Sequence, residues 1–338
     1  MNVAILGYGS IAEDHARAIQ ALQTTPDGRT LHLAGVMGRL PEPTAAFARE
    51  FGMPRWTTDL DVLLADPAVE AVVICSPSPI HADQTERALR AGKHVLCEIP
   101  LALSLSETDR LIDLANALDR RLMVCHIRRY LPAYVEAKRL IDTGAIHPHA
   151  IVSRYLFDRR ENINWKGRQR SWTDNLLWHH GGHAVDAALW LLGVADRGDA
   201  INTVAQVALP GGNLDIPMDL TLTMRTARDQ IATMTMSYHA HMAIDDCLII
   251  GEETTVLLAD RRLRDGDRVL AGPPPTDGSE TPIVRQDAEF FAAIREEREP
   301  ATSARSVRPA MAALQVAEDS LAARLRELGP GARHPRLP

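Results

Sequence analysis

Val3-Ala4-Ile5-Leu6-Gly7-Tyr8-Gly9-Ser10-Ile11-Ala12 stands almost at the start of the chain, and its reading decides the fold. Val3 to Leu6 form a short unbroken apolar run, as in a strand buried on both faces. The pattern GxGxxA follows at once, and Ala16, Ile19 and Leu22 then keep helical spacing. Each small residue has a physical task. Gly7 permits a tight turn, Gly9 lets backbone N–H groups meet a pyrophosphate at a helix N-terminus, and Ala12 lets helix and strand pack closely. The order strand, glycine turn, helix makes the motif specific for a dinucleotide; the glycines alone would be weak. Gly7, Tyr8, Gly9, Ser10, Ile11 and Ala12 are therefore expected to hold the cofactor.

Working outward, residues 31–37 read as a second strand. An NAD site expects an acidic side chain at its end, to hold the ribose 2′-hydroxyl. Here the strand ends Met37-Gly38-Arg39. Gly38 brings no carboxylate to repel a 2′-phosphate, and the Arg39 guanidinium suits one bidentately, so NADP is expected, with NAD also possible. Residues 44–51 and 59–64 read as helices. Buried strands follow at residues 71–75, 94–97 and 122–125. They end in Ser76-Pro77-Ser78-Pro79-Ile80-His81, Glu98-Ile99-Pro100 and His126-Ile127-Arg128-Arg129-Tyr130-Leu131-Pro132. Polar groups thus gather at strand carboxyl ends, where α/β sheets bind ligands. Ser76, Pro77 and His81 are expected beside the cofactor.

The second half changes character. After a helix at residues 134–143, strands are expected at residues 149–157, 201–209, 219–226, 230–239, 247–250 and 255–258. Alternation is clearest in Asp219-Leu220-Thr221-Leu222-Thr223-Met224 and Thr233-Met234-Thr235-Met236, with Leu/Met on one face and Thr on the other. That is the mark of an open antiparallel sheet packed on one side. Helices are expected at residues 289–297 and 305–325, with Glu318 and Arg324 on a solvated face. The fold class is α/β: an N-terminal Rossmann domain, residues 1–123, and a C-terminal α+β domain with a large, mainly antiparallel open sheet, residues 124–338.

The 338 residues carry a net charge of −7, which argues against a nucleic-acid or membrane-surface partner. No apolar run approaches a membrane-spanning length. The first residues show no basic leader, and a cytoplasmic location is expected. Cys75, Cys97, Cys125 and Cys247 form no CxxC pair and read as buried thiols in a reducing compartment.

Three imidazoles fall within five residues in Trp178-His179-His180-Gly181-Gly182-His183. His179 and His183 share a face if the helix has begun. Imidazole titrates near neutrality and suits a proton acceptor in a redox step. A helix start with backbone-bonded histidines gives the same string. Zinc would need a Cys or acidic ligand, and none adjoins the histidines in sequence, so no metal is expected. Upstream, Arg154, Arg159, Arg160, Lys166, Arg168 and Arg170 face only Asp158 and Glu161 within residues 154–170. Either this is a solvated loop, or it captures an anion by the fork geometry of guanidinium. Trp165 and Trp172 bracket the cluster and suit a flat substrate.

Residues 7–12, the 76–81 turn, Ala91-Gly92-Lys93-His94-Val95-Leu96-Cys97-Glu98-Ile99-Pro100, Arg129-Tyr130-Leu131-Pro132 and His183-Ala184-Val185-Asp186 together resemble the Gfo/Idh/MocA family of nicotinamide-dependent dehydrogenases. The resemblance covers nearly the whole chain. It implies that Glu98 lies against the nicotinamide ribose, that strand ends and histidines meet in a cleft between the domains, and that the outer face of the second sheet makes a homodimer or homotetramer. It also puts His183 at the family's catalytic histidine. Two positions depart from the pattern. Ile99 replaces the usual lysine, and His179 replaces the usual aspartate. The string 164–183, with Glu98-Ile99-Pro100, is similar to a branch that acts in aromatic acid breakdown. That implies an aromatic-derived planar dicarboxylate, oxidised as a cyclic hemiacetal, with His183, His179 or His180 taking the proton. Arg128, Arg129, Trp165, Lys166, Arg168 and Asn175 are then the substrate-binding candidates. A dehydrogenase of a sugar acid or cyclitol, and a non-catalytic NADP-binding regulator, are the alternatives.

Overall fold

The computed structural model describes residues 1–170, 172–197, 201–273, 281–329 and 331–334. The chain divides into two compact units. The first is built from β1 (Asn2–Leu6), α1 (Ser10–Gln23), β2 (His32–Met37), α2 (Pro41–Glu50), β3 (Trp56–Thr57), α3 (Leu60–Leu64), β4 (Ala71–Ile74), α4 (His81–Arg90), β5 (His94–Cys97), α5 (Leu105–Ala117) and β6 (Leu122–Val124). Its six strands are all parallel, in the order β3-β2-β1-β4-β5-β6. Val3 to Leu6 and Ala71 to Ile74 are wholly buried. Each Val, Ile and Leu side chain among them contributes about 1.5–3 kcal/mol on leaving water. The chain runs from β1 outward on one side of the sheet and restarts with β4 on the other. That reversal opens a crevice at the carboxyl ends of β1 and β4, where doubly wound sheets bind nucleotides.

The second unit holds α6 (Pro132–Asp142), β7 (Pro148–Asp158), α7 (Gly181–Leu191), α8 (Val194–Arg197), β8 (Ile201–Val207), β9 (Pro210–Gly211), β10 (Ile216–Pro217), β11 (Asp219–Thr226), β12 (Ile231–Ser237), β13 (His239–Gly251), β14 (Thr255–Ala259), β15 (Arg262–Asp265) and β16 (Arg268–Ala271). Eight of these strands form one sheet, in the order β16-β15-β14-β13-β7-β12-β11-β8. Only the β7–β12 pairing in it is parallel. Leu220, Leu222, Met224, Met234 and Met236 line the buried face. In register on the other face stand Thr223, Thr233, Val204 and Val152.

The domain division differs from a single cut after residue 123. The first unit runs through Ile127 and regains α9 (Pro282–Arg295) and the residues up to Arg305. Here α9 packs on α1, burying Phe290 and Phe291 completely. The second unit resumes at Ser306, within α10 (Ala304–Leu328). Two α10 side chains expected on a solvated face are engaged. Glu318 accepts the Trp178 indole N–H at 3.0 Å, and Arg324 donates to the Val207 carbonyl at 3.3 Å. The helical period places them outward, but the long side chains reach back to polar groups of the packed surface.

Candidate functional site

The first unit supplies a dinucleotide cradle. Gly7 has φ +119, and a Cβ there would meet the Cys75 carbonyl oxygen at 2.7 Å, so only glycine fits. Gly9 caps α1 with no side-chain hydrogen bond, and nothing lies within 4 Å of where its Cβ would be. Open space thus faces the N–H groups of the first turn, as a bound phosphate requires. Ala12 is wholly buried, which brings α1 close to the sheet. At the end of β2, a Cβ on Gly38 would lie 2.3 Å from the Tyr8 ring and 2.4 Å from Thr44 Oγ1. The place where an acidic side chain would stand is filled by that phenol. Arg39 next to it is exposed and makes no ion pair among the described residues.

The other strand-end groups are more constrained. Ser76 Oγ donates to Gln84 Oε1 at 2.6 Å, and Pro77 precedes the turn Ser78–Ile80. His81 is buried, with Nδ1 2.8 Å from the Pro100 carbonyl and Nε2 2.8 Å from that of Ser76. Burial holds its pKa below the usual imidazole value, against the pull of those carbonyls. The ring therefore sits between the ends of β4 and β5, and in its neutral form it donates to one of the two carbonyls.

In the second unit the histidines sit on a π-helical turn, Leu176–His180, which runs directly into α7. Such turns are rare and recur at functional sites. Asn175 caps it, its Oδ1 accepting the Trp178 N–H at 2.9 Å. A Cβ at Gly181 would make a tight contact, 3.2 Å from the Leu176 carbonyl oxygen. The ring centroids of His179 and His180 are 4.6 Å apart, and those of His179 and His183 are 6.3 Å apart.

The acidic partner missing from the neighbouring sequence comes from Asp174. Its Oδ2 lies 3.3 Å from His179 Nε2 and 2.6 Å from Arg170 Nη1, and its Oδ1 2.5 Å from Arg159 Nη2. Burial alone would raise the carboxyl's pKa. His179, Arg170 and Arg159 outweigh it and hold the group below its usual range. His180 is different. Burial, and then the charges of His179, His183, Arg159 and Arg170, push its pKa well down, so it stays neutral. Its Nδ1 lies 2.5 Å from the hydroxyl of Tyr238, a wholly buried side chain on which Arg159 also stacks at 5.0 Å. A neutral ring and a phenol whose pKa is raised by burial share one proton between them, the Tyr238 O–H donating to Nδ1.

A cavity of about 500 Å³ opens over this cluster, lined by Tyr155, Phe157, Trp165, Arg170, His179 and His180 among others. Trp165 is largely exposed, whereas Trp172 is covered by the Arg170 guanidinium at 5.8 Å. The expected basic field is largely matched by acids. Arg154 pairs with Asp246 and Arg160 with Asp158, while Arg159 and Arg170 share Asp174. Lys166 and Arg168 stand on the loop beside the cavity-lining Asn164 and Trp165, and their backbone N–H groups are held by the Asn164 side chain. Arg128 and Arg129 are also committed. Arg128 donates to Tyr134 Oη at 2.7 Å and Asp245 Oδ1 at 2.9 Å. Arg129 grips Asp186 bidentately at 2.8 and 2.5 Å, with both side chains buried. Their charges serve the unit's interior. Sequence reading overlooked Asp174 as a partner of the histidines; it stands five residues before His179 and ahead of the Asn175 cap, so no helical spacing links the two.

A dinucleotide cradle on a doubly wound sheet, joined to a unit carrying an imidazole-lined cavity on an antiparallel sheet, defines a nicotinamide-dependent oxidoreductase. Residues 1–126 match the family model described as "Oxidoreductase family, NAD-binding Rossmann fold", and residues 132–269 match "Bacterial oxidoreductases, C-terminal". A 4-carboxy-2-hydroxymuconate-6-semialdehyde dehydrogenase of a Sphingobium species is 31% identical over 304 residues, covering 90% of this chain and 93% of that one. The chain belongs to the Gfo/Idh/MocA family and is a dehydrogenase. The inositol 2-dehydrogenase of Acidothermus cellulolyticus is 29% identical, over 78% of this chain and 74% of its own. Among solved structures, levoglucosan dehydrogenase in complex with NADH and L-sorbose superposes with a TM-score of 0.81 at 24% identity, over 96% of this chain and 97% of that one. No helix among the described residues is long and apolar enough to cross a membrane.

Proposed function

We propose that this dehydrogenase oxidises 4-carboxy-2-hydroxymuconate-6-semialdehyde, in its cyclic hemiacetal form, to 2-pyrone-4,6-dicarboxylate with NADP. The observation that carries the reading is the cavity of about 500 Å³ whose walls combine aromatic rings, arginine and imidazole. A flat ring packs against Tyr155, Phe157 and Trp165. Its carboxylates are drawn to Arg170, with Lys166 and Arg168 at the loop. Arg159 and Arg170 are among the charges acting on His180, and both guanidinium groups stand beside the cavity floor. The identity to the Sphingobium enzyme supports the same substrate.

Bound at residues 7–12, the dinucleotide supplies the hydride acceptor. The protein must receive the hemiacetal hydroxyl proton. His180 is a poor choice, being held neutral by its surroundings. His179 is committed to Asp174. His183, half-exposed on the first turn of α7, is the proposed base. Arg39, unpaired among the described residues, and the filled position beside Gly38 support NADP over NAD. Val152, Val204, Ile231 and Ile250 stand exposed on the outer sheet face, and we place self-association of the chain there.

The test is absorbance at 340 nm on adding the ring-cleavage product made from protocatechuate by a 4,5-dioxygenase. NADP reduction with saturable kinetics is expected. Turnover confined to inositols or sugar acids would sink the substrate assignment, and tight NADP binding with no turnover on any of them would make the chain a regulator.

A further inference from the structure

Three segments far apart in sequence bring ionisable side chains together inside the first unit. His15, on α1, is wholly buried. Its Nδ1 lies 2.8 and 3.0 Å from the two oxygens of Asp287, an α9 residue that is also wholly buried. Its Nε2 lies 3.1 Å from Oε1 of Glu98, just beyond β5. The second oxygen of Glu98 accepts the Ile99 N–H at 3.1 Å.

An imidazole donates from both nitrogens only when protonated. Burial by itself disfavours that cation. Asp287 and Glu98 outweigh the penalty and push the His15 pKa up to about 10. The other titratable groups facing the cluster are Cys75 and Cys125, with Asp14 further out on α1. Burial and the nearby carboxylates raise both thiols well above their usual range, so they remain neutral. Two carboxylates therefore share one cation. Neither oxygen of Glu98 can turn away without breaking a charge-assisted bond in a poorly solvated place.

We propose that His15, clamped by Asp287, is a positioning residue that fixes the Glu98 carboxylate for the nicotinamide end of the dinucleotide. The return of α9 to the first unit then has a chemical consequence: it delivers the acid that keeps His15 charged. The inference rests on the reading that Glu98 touches the cofactor. His15 Nε2, Glu98 and Cys125 Sγ also lie close enough to hold a metal ion. A cation there would have to displace the proton that both carboxylates favour.

NADPH fluorescence titration of the full chain tests it, with Glu98→Gln, Asp287→Asn, His15→Gln and the double variant His15→Gln/Glu98→Gln. Melting temperatures confirm that each is folded, and Asp287→Asn keeps the side chain's shape if His15→Gln does not fold. Glu98→Gln must first weaken binding. If it binds NADPH as wild type does, the underlying reading of Glu98 fails. If it does weaken binding, Asp287→Asn and His15→Gln are each expected to raise Kd roughly tenfold. His15→Gln should add nothing in the Glu98→Gln background, because it acts through Glu98. Wild-type affinity should hold through neutral pH and fall only in alkali, and in Asp287→Asn the fall should move to lower pH. Wild-type affinity in both single variants, additive losses in the double variant, or stoichiometric metal in the purified protein that His15→Gln abolishes, would each overturn the proposal.

Discussion

Replacing Asp174 by Asn keeps the shape of the side chain and removes one charge. In the structure that charge faces Arg159 at 2.5 Å, Arg170 at 2.6 Å and His179 at 3.3 Å. Asp174 is 2% exposed, against 7% for Arg159 and 13% for Arg170. Removing one partner of a buried ion pair costs about 3–5 kcal/mol, because the other is left buried and uncompensated. Arg170 and His179 keep some water, so the lower end, about 3 kcal/mol, is expected. At about 2–4 °C per kcal/mol for domains of about 150–250 residues, the second unit should melt roughly 6–12 °C earlier. The sign of the pH dependence follows from the depressed carboxyl pKa. Such a group contributes its stability fully above the unfolded value of about 3.9 and loses it as pH falls through the folded value. From pH 5 to 8 the carboxyl itself stays ionised, so its own share of the gap between wild type and Asp174→Asn should close only in stronger acid. Differential scanning calorimetry from pH 8 down into strong acid is the assay. Equal melting temperatures at pH 7, or a gap that persists undiminished in strong acid, would refute the reasoning.

Arg129→Met should destabilise the second unit by about 3–5 kcal/mol, since the buried Asp186 carboxylate would lose its bidentate cationic partner; a folded variant with only a raised substrate KM would instead make Arg129 an anion-capture group. Lys166→Ala and Arg168→Ala should leave the melting temperature unchanged and raise KM for the dicarboxylate, and unaltered steady-state kinetics in both would remove the loop from the site. Because Arg39 is exposed and adjoins Gly38, Arg39→Ala should weaken NADP and spare NAD in parallel calorimetric titrations; equal losses would assign it another role. His183→Asn should lower kcat by roughly 10²–10⁴-fold with NADPH affinity intact. His180→Asn, already neutral in the wild type, should cost far less, and the reverse ranking would move the base to His180.

Much of the fold was legible because its signals are local. A buried parallel strand is an apolar run, and an open sheet is an alternation, so residues 3–6 and 219–224 declare themselves within a few positions. Strands β15 and β16 were not foreseen. Arg262, Arg264 and Arg268 hide an alternation in which Leu263 alone is fully buried. The 13-residue strand β13 was also read too short, because His239, His241, Asp245 and Asp246 interrupt its apolar pattern. Its pairing with β7 supplies the ladder that the composition does not advertise.

The sequence by itself determined the dinucleotide turn, the class of each half and the presence of an imidazole cluster. A glycine at φ +119 or a strand–turn–helix boundary follows from neighbouring residues alone. Only the tertiary structure decided which charges meet. With 37 basic and 44 acidic side chains, composition does not say that Asp186 takes Arg129, that Asp245 takes Arg128, or that Asp174 gathers Arg159, Arg170 and His179. Nor does it place Asp287 on a nitrogen of His15, 272 residues earlier. One carboxylate resembles another in sequence. Burial removes the water that would otherwise solvate each of them, and that makes one particular partner obligatory.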